Sequence, residues 1–279
     1  HDEDMAESLG FSGAPIEGCT HLSQFVPLLK KIFKDEWFIS GCISVHYKNM
    51  VFEGERVKAF VKLPKKDSKI TDIWMEKEDG TYVLSGTAGI GPKHETSALD
   101  SLMSKLDKPE KLVILSDIKE GLKSNKRVKV KMGFDQHMGD LYPFTLNEKL
   151  AVITELDEWY TEENGNQSPW RKPIIPIEMI SVLTNFSGNP SNFSVKGPVI
   201  GLFANQEIKL FNGPLFVDEE YQIEKEIIAL SQSKRVETYW CMTSVYDKEN
   251  ILVAECLLNQ AFLKDSYKNY EQELKDISG

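Results

Sequence analysis

The chain has 279 residues, more than one ordinary domain. Its 41% apolar and 10% aromatic content is enough for two units with full cores and no covalent staples. A net charge of −10 and a pI near 5.2 argue against a nucleic-acid partner, because binding by counterion release draws on clustered Lys and Arg. Cys19, Cys42, Cys241 and Cys256 form no C-x-x-C pair, and His1, His21, His46, His94 and His137 are scattered. Neither a disulfide framework, a metal centre nor a bound redox cofactor is therefore expected. No run of 18–20 uncharged apolar residues occurs, because Glu178 interrupts the best one, 173–186, so no membrane-spanning helix is expected.

In chain order, the first periodic segment starts at Pro15-Ile16-Glu17-Gly18-Cys19-Thr20-His21-Leu22-Ser23 and continues through Phe25, Leu28, Leu29 and Ile32, a helical spacing. Strand-like runs follow over 37–47, 56–63, 70–76 and 82–90, the last two joined by Glu78-Asp79-Gly80, a hairpin turn that suits positive φ. Residues 92–126 read as a polar connection with a helix over 98–106, Pro109 and a short apolar run over 112–115. The basic stretch 123–131 has two readings: a solvated strand edge, which is favoured, and a contact for the phosphates of coenzyme A.

The pattern then repeats. Pro173-Ile174-Ile175-Pro176-Ile177-Glu178-Met179-Ile180-Ser181 lies 158 positions after the Pro15 segment and opens a second apolar helix, followed by strand-like runs over 199–210, 221–230, 236–246 and 252–262. Gly41 matches Gly201, Glu55 matches Asp218 and Val83 matches Val253 at offsets of 160, 163 and 170, an upward drift of the kind that small loop insertions produce. Asp247-Lys248-Glu249-Asn250 falls where Glu78-Asp79-Gly80 falls in the first half. The expected units are 1–126, the first half with its linker, and 127–279.

Two residue patterns now carry a family resemblance. His1-Asp2-Glu3-Asp4-Met5-Ala6, Leu9-Gly10-Phe11 and Pro15-Ile16-Glu17-Gly18 resemble the signature of the MaoC-like acyl dehydratases, and Gly197-Pro198-Val199-Ile200 opens the second half as in its tandem members. The fold this implies is α+β: two fused hotdog folds, each a curved antiparallel sheet wrapped around a central helix. The resemblance implies an acyl-thioester ligand, on coenzyme A or an acyl carrier, and hydration or dehydration of enoyl and 3-hydroxyacyl thioesters. His1 would be the general base. The Gly18 N–H would polarise the thioester carbonyl, with Cys19, Thr20 and His21 along the substrate. The acid that precedes the family's histidine has no counterpart, since the sequence begins at His1.

Thioester hydrolysis and non-catalytic acyl binding remain open on the same scaffold. Pro176, aligned with Gly18, has no N–H, so the second half is expected to lack a carbonyl site. Trp159 and Tyr160 fall where its base would be. Cys19 as a nucleophile is disfavoured, because no base adjoins it in the sequence. A cytoplasmic location fits the free cysteines. An organellar targeting segment could have preceded His1, and a homodimer is compatible with the reading.

Overall fold

The computed structural model describes residues 15–139, 142–185 and 193–277. Residues 1–14, and with them His1, Gly10 and Phe11, lie outside the described residues.

The chain forms one nine-stranded antiparallel sheet with helices against it. In the first half, α1 (Thr20–Ser23), α2 (Val26–Phe33) and α3 (Glu36–Ser40) lead into β1 (Gly41–Tyr47), β2 (Val57–Val61), β3 (Ile70–Lys77) and β4 (Tyr82–Ile90). In the second, α6 (Ile177–Asn185) leads into β6 (Gly201–Leu210), β7 (Glu220–Gln232), β8 (Val236–Tyr246) and β9 (Leu252–Leu263). Between them come α4 (Ala98–Met103), β5 (Val128–Lys131) and α5 (Leu146–Val152), and α7 (Tyr270–Asp276) closes the chain.

The strand order is β2-β3-β4-β1-β6-β9-β8-β7-β5. Each half thus contributes four strands in the same internal order, and the halves join where β1 runs antiparallel to β6, from Cys42 opposite Lys209 to His46 opposite Asn205. This duplicated arrangement, announced by the repeat, is the double hotdog that the family resemblance implies.

Hydrogen bonds show the duplication residue by residue. Ile16 N–H donates to the Val51 carbonyl (2.8 Å), and Ile175 N–H to that of Leu215 (2.7 Å). The Lys48 and Asn49 N–H groups both donate to Val83, as those of Phe211 and Asn212 do to Val253, and the Asn49 and Asn212 side chains donate to the carbonyls of Tyr82 and Leu252. Gly80 and Asn250 both have positive φ at equivalent hairpin turns. These pairings keep the 170 offset for Val83 and Val253 but refine the earlier ones. Gly54 and Asp218 share positive φ, so Glu55 corresponds to Glu219. Gly41 pairs with Ile90, and the residue that pairs with the equivalent Gln260 is Phe203, because a bulge at 203–205 displaces Gly201.

The two central helices differ. Every residue of α6 except its last is buried, whereas α2 buries Val26 and Leu29 and leaves Leu28 38% exposed, so only one of its faces meets the core. Residues 37–40, expected as strand, are helical, and the linker helix ends at Met103 rather than 106. That helix lies on the opposite face of the sheet, across the seam: its capping residue Ser97 donates to Glu207 (2.5 Å), and Leu99 N–H donates to Ser44 Oγ (3.0 Å). Strand β5 pairs with β7 as an edge strand. The basic stretch is matched by acids: Lys123 with Glu226, Arg127 with Glu224, Lys129 with Glu220 and Lys131 with Asp218. The solvated-edge reading accounts for every one of these contacts.

Candidate functional site

The start of the first central helix is fixed by backbone pairing. Pro15 bridges Phe52, the chain turns over 17–20, and Thr20 N–H donates to the Glu17 carbonyl (3.0 Å). Cys19 stands at the helix cap without a side-chain capping bond. The N–H groups of Gly18 and Cys19 have no hydrogen-bond partner among the described residues. Two such donors at a helix start are the arrangement that stabilises a developing oxyanion.

What faces Gly18 is an aromatic ring. A Cβ built at position 18 would lie 2.9 Å from Cζ of Tyr47, so the glycine there admits Tyr47. Tyr47 sits at the end of β1 and donates to Gln206 Oε1 (2.8 Å). Gln206 in turn donates to Ser181 on α6 and approaches Cys256 Sγ at 3.9 Å. This chain of contacts links the first helix start to the second central helix. On the other side, Lys149 of α5 reaches Glu17 (3.2 Å) and Thr20 Oγ1, and the Thr20 hydroxyl donates to Glu17 (3.3 Å). The Thr20 side chain is therefore engaged within the protein.

Helices α1 and α6 pack together, and around them several polar groups are buried. His21 is 4% exposed, with no hydrogen-bond partner for Nδ1 among the described residues. Burial, with a smaller contribution from the Lys149 charge, pulls its pKa down to about 4, so the imidazole is neutral. Burial pushes the Cys19 thiol up to about 12, so it stays protonated and is no nucleophile at neutral pH. Tyr142 and Tyr160 have buried hydroxyls without hydrogen-bond partners among the described residues.

Glu178 is the residue that sequence reading missed. It is 1% exposed, neither carboxyl oxygen has a geometrically sound hydrogen-bond partner among the described residues, and burial raises its pKa to about 7 against a smaller lowering by its own backbone N–H. The signal was a single acid inside the apolar run 173–186, which served only to exclude a membrane span. Its position in the duplication also corrects the alignment of the helix starts. Ile16 matches Ile175, and Thr20 N–H to Glu17 matches Met179 N–H to Pro176, an offset of 159. Gly18 therefore corresponds to Ile177, which has an N–H, and Cys19 to Glu178. The expectation that Pro176 removes the donor from the second half fails by one residue.

Trp159 and Tyr160 pack on Phe38 (ring centroids 5.3 and 6.3 Å), and the Lys30 ammonium lies over the Trp159 ring while pairing with Asp157 at 2.6 Å. They fix the segment before α6 against the first half. Among the described residues no three His, Cys, Asp or Glu side chains gather as metal ligands, and no helix is long and apolar enough to cross a membrane.

This is a tandem hotdog protein with the fold of the MaoC-like dehydratases. The chain is similar to a protein from Chloroflexus aurantiacus described as a MaoC domain dehydratase, at 13% identity and a TM-score of 0.59, over 94% of this chain and 86% of that one. It is similar to a hypothetical protein with a double hotdog fold from Mycobacterium tuberculosis, at 9% identity and a TM-score of 0.51, over 94% and 85%. A third structure, a MaoC-like dehydratase, matches at 10% identity and a TM-score of 0.52, over 92% and 87%. No protein-family model matches the chain, and no curated protein matches it.

Proposed function

We propose that this protein binds acyl thioesters, on coenzyme A or an acyl carrier, and acts on them as a hydratase or dehydratase. The observation that carries the reading is the pair of unpartnered N–H groups at Gly18 and Cys19, at a central helix start of a double hotdog. A thioester carbonyl directed there would receive two hydrogen bonds where negative charge develops. His1, carried over from the family resemblance, takes a proton from water as its oxygen adds to the β-carbon. The protonated His1 returns a proton to the α-carbon, so that the elements of water add across the double bond and the base is regenerated. Cys19 and His21 shape the neighbouring wall, and Thr20 holds it through Glu17 and Lys149.

In this proposal the unit 1–126 carries the reacting site and 127–279 completes the scaffold, a division supported by the pairing of β5 with β7. A homodimer and a cytoplasmic location go with the reading, the latter supported by four free, buried cysteines.

The second reading, acyl binding without catalysis, is favoured by one contact: Tyr47 fills the space in front of Gly18. Loss of enoyl absorbance separates the two. Hydration of trans-2-enoyl thioesters by the wild type, reduced about 10²–10⁴-fold in His1→Ala, supports the hydratase reading. Binding of saturated acyl thioesters with no hydration at any chain length replaces it with the second.

A further inference from the structure

A carbonyl held by the N–H groups of Gly18 and Cys19 sends its acyl chain either back to solvent or on toward the sheet, and on the sheet side stands Tyr47. The N–H and Cα–Cβ directions of a residue diverge, and Tyr47 lies along the second: its Cζ, Cε1 and Cε2 are 2.9, 3.2 and 3.3 Å from where a Gly18 Cβ would be. The ring is therefore beside the carbonyl's place rather than on it. The space behind the ring is filled by the second half. The Tyr47 hydroxyl donates to Gln206 (2.8 Å), Gln206 donates to Ser181, and Gln206, Ser181 and Cys256 are all fully buried.

This wall is peculiar to the first half. The N–H groups of Lys48 and Asn49 pair with Val83 as those of Phe211 and Asn212 do with Val253, so Tyr47 corresponds to Leu210, as Gly18 does to Ile177. Bulk has moved from the helix start to the strand: Gly18 lies under a tyrosine ring in one half, and Ile177 and Leu210, both buried, stand in the same places in the other.

We infer that Tyr47 sets acyl length, closing the site to chains beyond butyryl size, so that the substrate class is short-chain acyl thioesters. This rests on the thioester reading above, which it narrows. A methylene that finds apolar room contributes about fourfold in affinity, and one left in water contributes nothing. A longer chain would have to displace the ring and part Tyr47 from Gln206 and Gln206 from Ser181, leaving buried polar groups unpaired.

The test is calorimetric titration of the full chain with butyryl- and octanoyl-coenzyme A. The wild type should bind butyryl at least as tightly as octanoyl. Tyr47→Ala removes the wall and should reverse the order, with octanoyl tighter on the order of 10- to 100-fold, the contribution of two or three methylenes that find room. Tyr47→Leu, the side chain that the fold already carries at Leu210, should move the ratio the same way by less. Tyr47→Phe keeps the ring and should keep the wild-type order, whereas a purely structural role would lower both affinities in every variant and leave their ratio unchanged. Octanoyl bound more tightly than butyryl by the wild type would overturn the inference without any variant, and so would a folded Tyr47→Ala protein with the wild-type ratio. Either of these results leaves the thioester reading standing, while no binding of either thioester by the wild type overturns both.

Discussion

At the scale of residues, Glu178 and His21 tie stability to pH with opposite signs. Glu178 titrates at about 7 in the folded chain against an ordinary 4.5, so its folded form holds a proton that the unfolded chain releases, and stability is lost as pH rises from 4.5 to 7. His21 titrates at about 4 against 6.5, so the unfolded chain takes up a proton that the folded chain refuses, and stability is lost as pH falls from 6.5 to 4. Each effect is on the order of 3 kcal/mol over its full range. Between pH 4.5 and 6.5 the two nearly cancel.

Glu178→Gln should therefore unmask the histidine. Urea midpoints of the variant should fall on going from pH 6.5 to 4.5 more steeply than those of the wild type, by close to one proton's worth. Parallel curves for the two proteins would show that Glu178 is ionised and compensated in the folded state. None of this was legible in the sequence. Gly18, Cys19, Thr20 and His21 are expected site residues because the family resemblance rests on a contiguous local motif, but Glu178, Lys149 and Gln206 reach the same place from distant segments. The pairing of β1 with β6 brings Gln206 there, the packing of α1 on α6 brings Glu178, and α5 brings Lys149.

Among elements, the strands were the most legible, because one buried face imposes alternation on the sequence. Runs over 70–76, 82–90 and 236–246 match β3, β4 and β8 to within a residue. The connection between the halves was less so, since its order comes from contacts far away. The run 112–115 is held by Glu237, a fully buried acid of β8 that accepts from the N–H groups of Val113 (2.8 Å) and Leu115 (3.0 Å) and from the Tyr270 hydroxyl (2.9 Å).

One carboxylate thus fixes the linker, a central strand and the terminal helix α7. Glu237→Ala would leave three buried donors unpaired, at a cost on the order of 3 kcal/mol or more, whereas Glu237→Gln keeps an acceptor and should lose less. Chemical denaturation of the two variants reads this difference, and limited proteolysis should cut the alanine variant first within 107–122. An alanine variant as stable as the wild type would mean that the linker is held by its apolar contacts alone.

For the whole molecule, the drifting offset of the repeat was the strongest sequence signal, because a duplicated fold keeps its order of elements while loops change length. The drift runs from 159 at the helix starts through 164 before β2 and β7 to 170 in the last hairpins. What sequence comparison could not supply was exact register, and a one-residue slip at Pro176 reversed the inference about the second half. With Ile177 in the place of Gly18, the halves differ by side chain rather than by a missing donor: glycine beneath Tyr47 in one, a buried isoleucine followed by a buried acid in the other.

The central claim is that the thioester carbonyl meets the first helix start. Amide hydrogen exchange with and without a saturated acyl thioester tests it most directly, because it reads the Gly18 and Cys19 N–H groups themselves. The account predicts slowed exchange over 17–22, centred on those two amides, with little change over 176–181. Slowing confined to 176–181, or bound thioester with unchanged exchange at both helix starts, would contradict it.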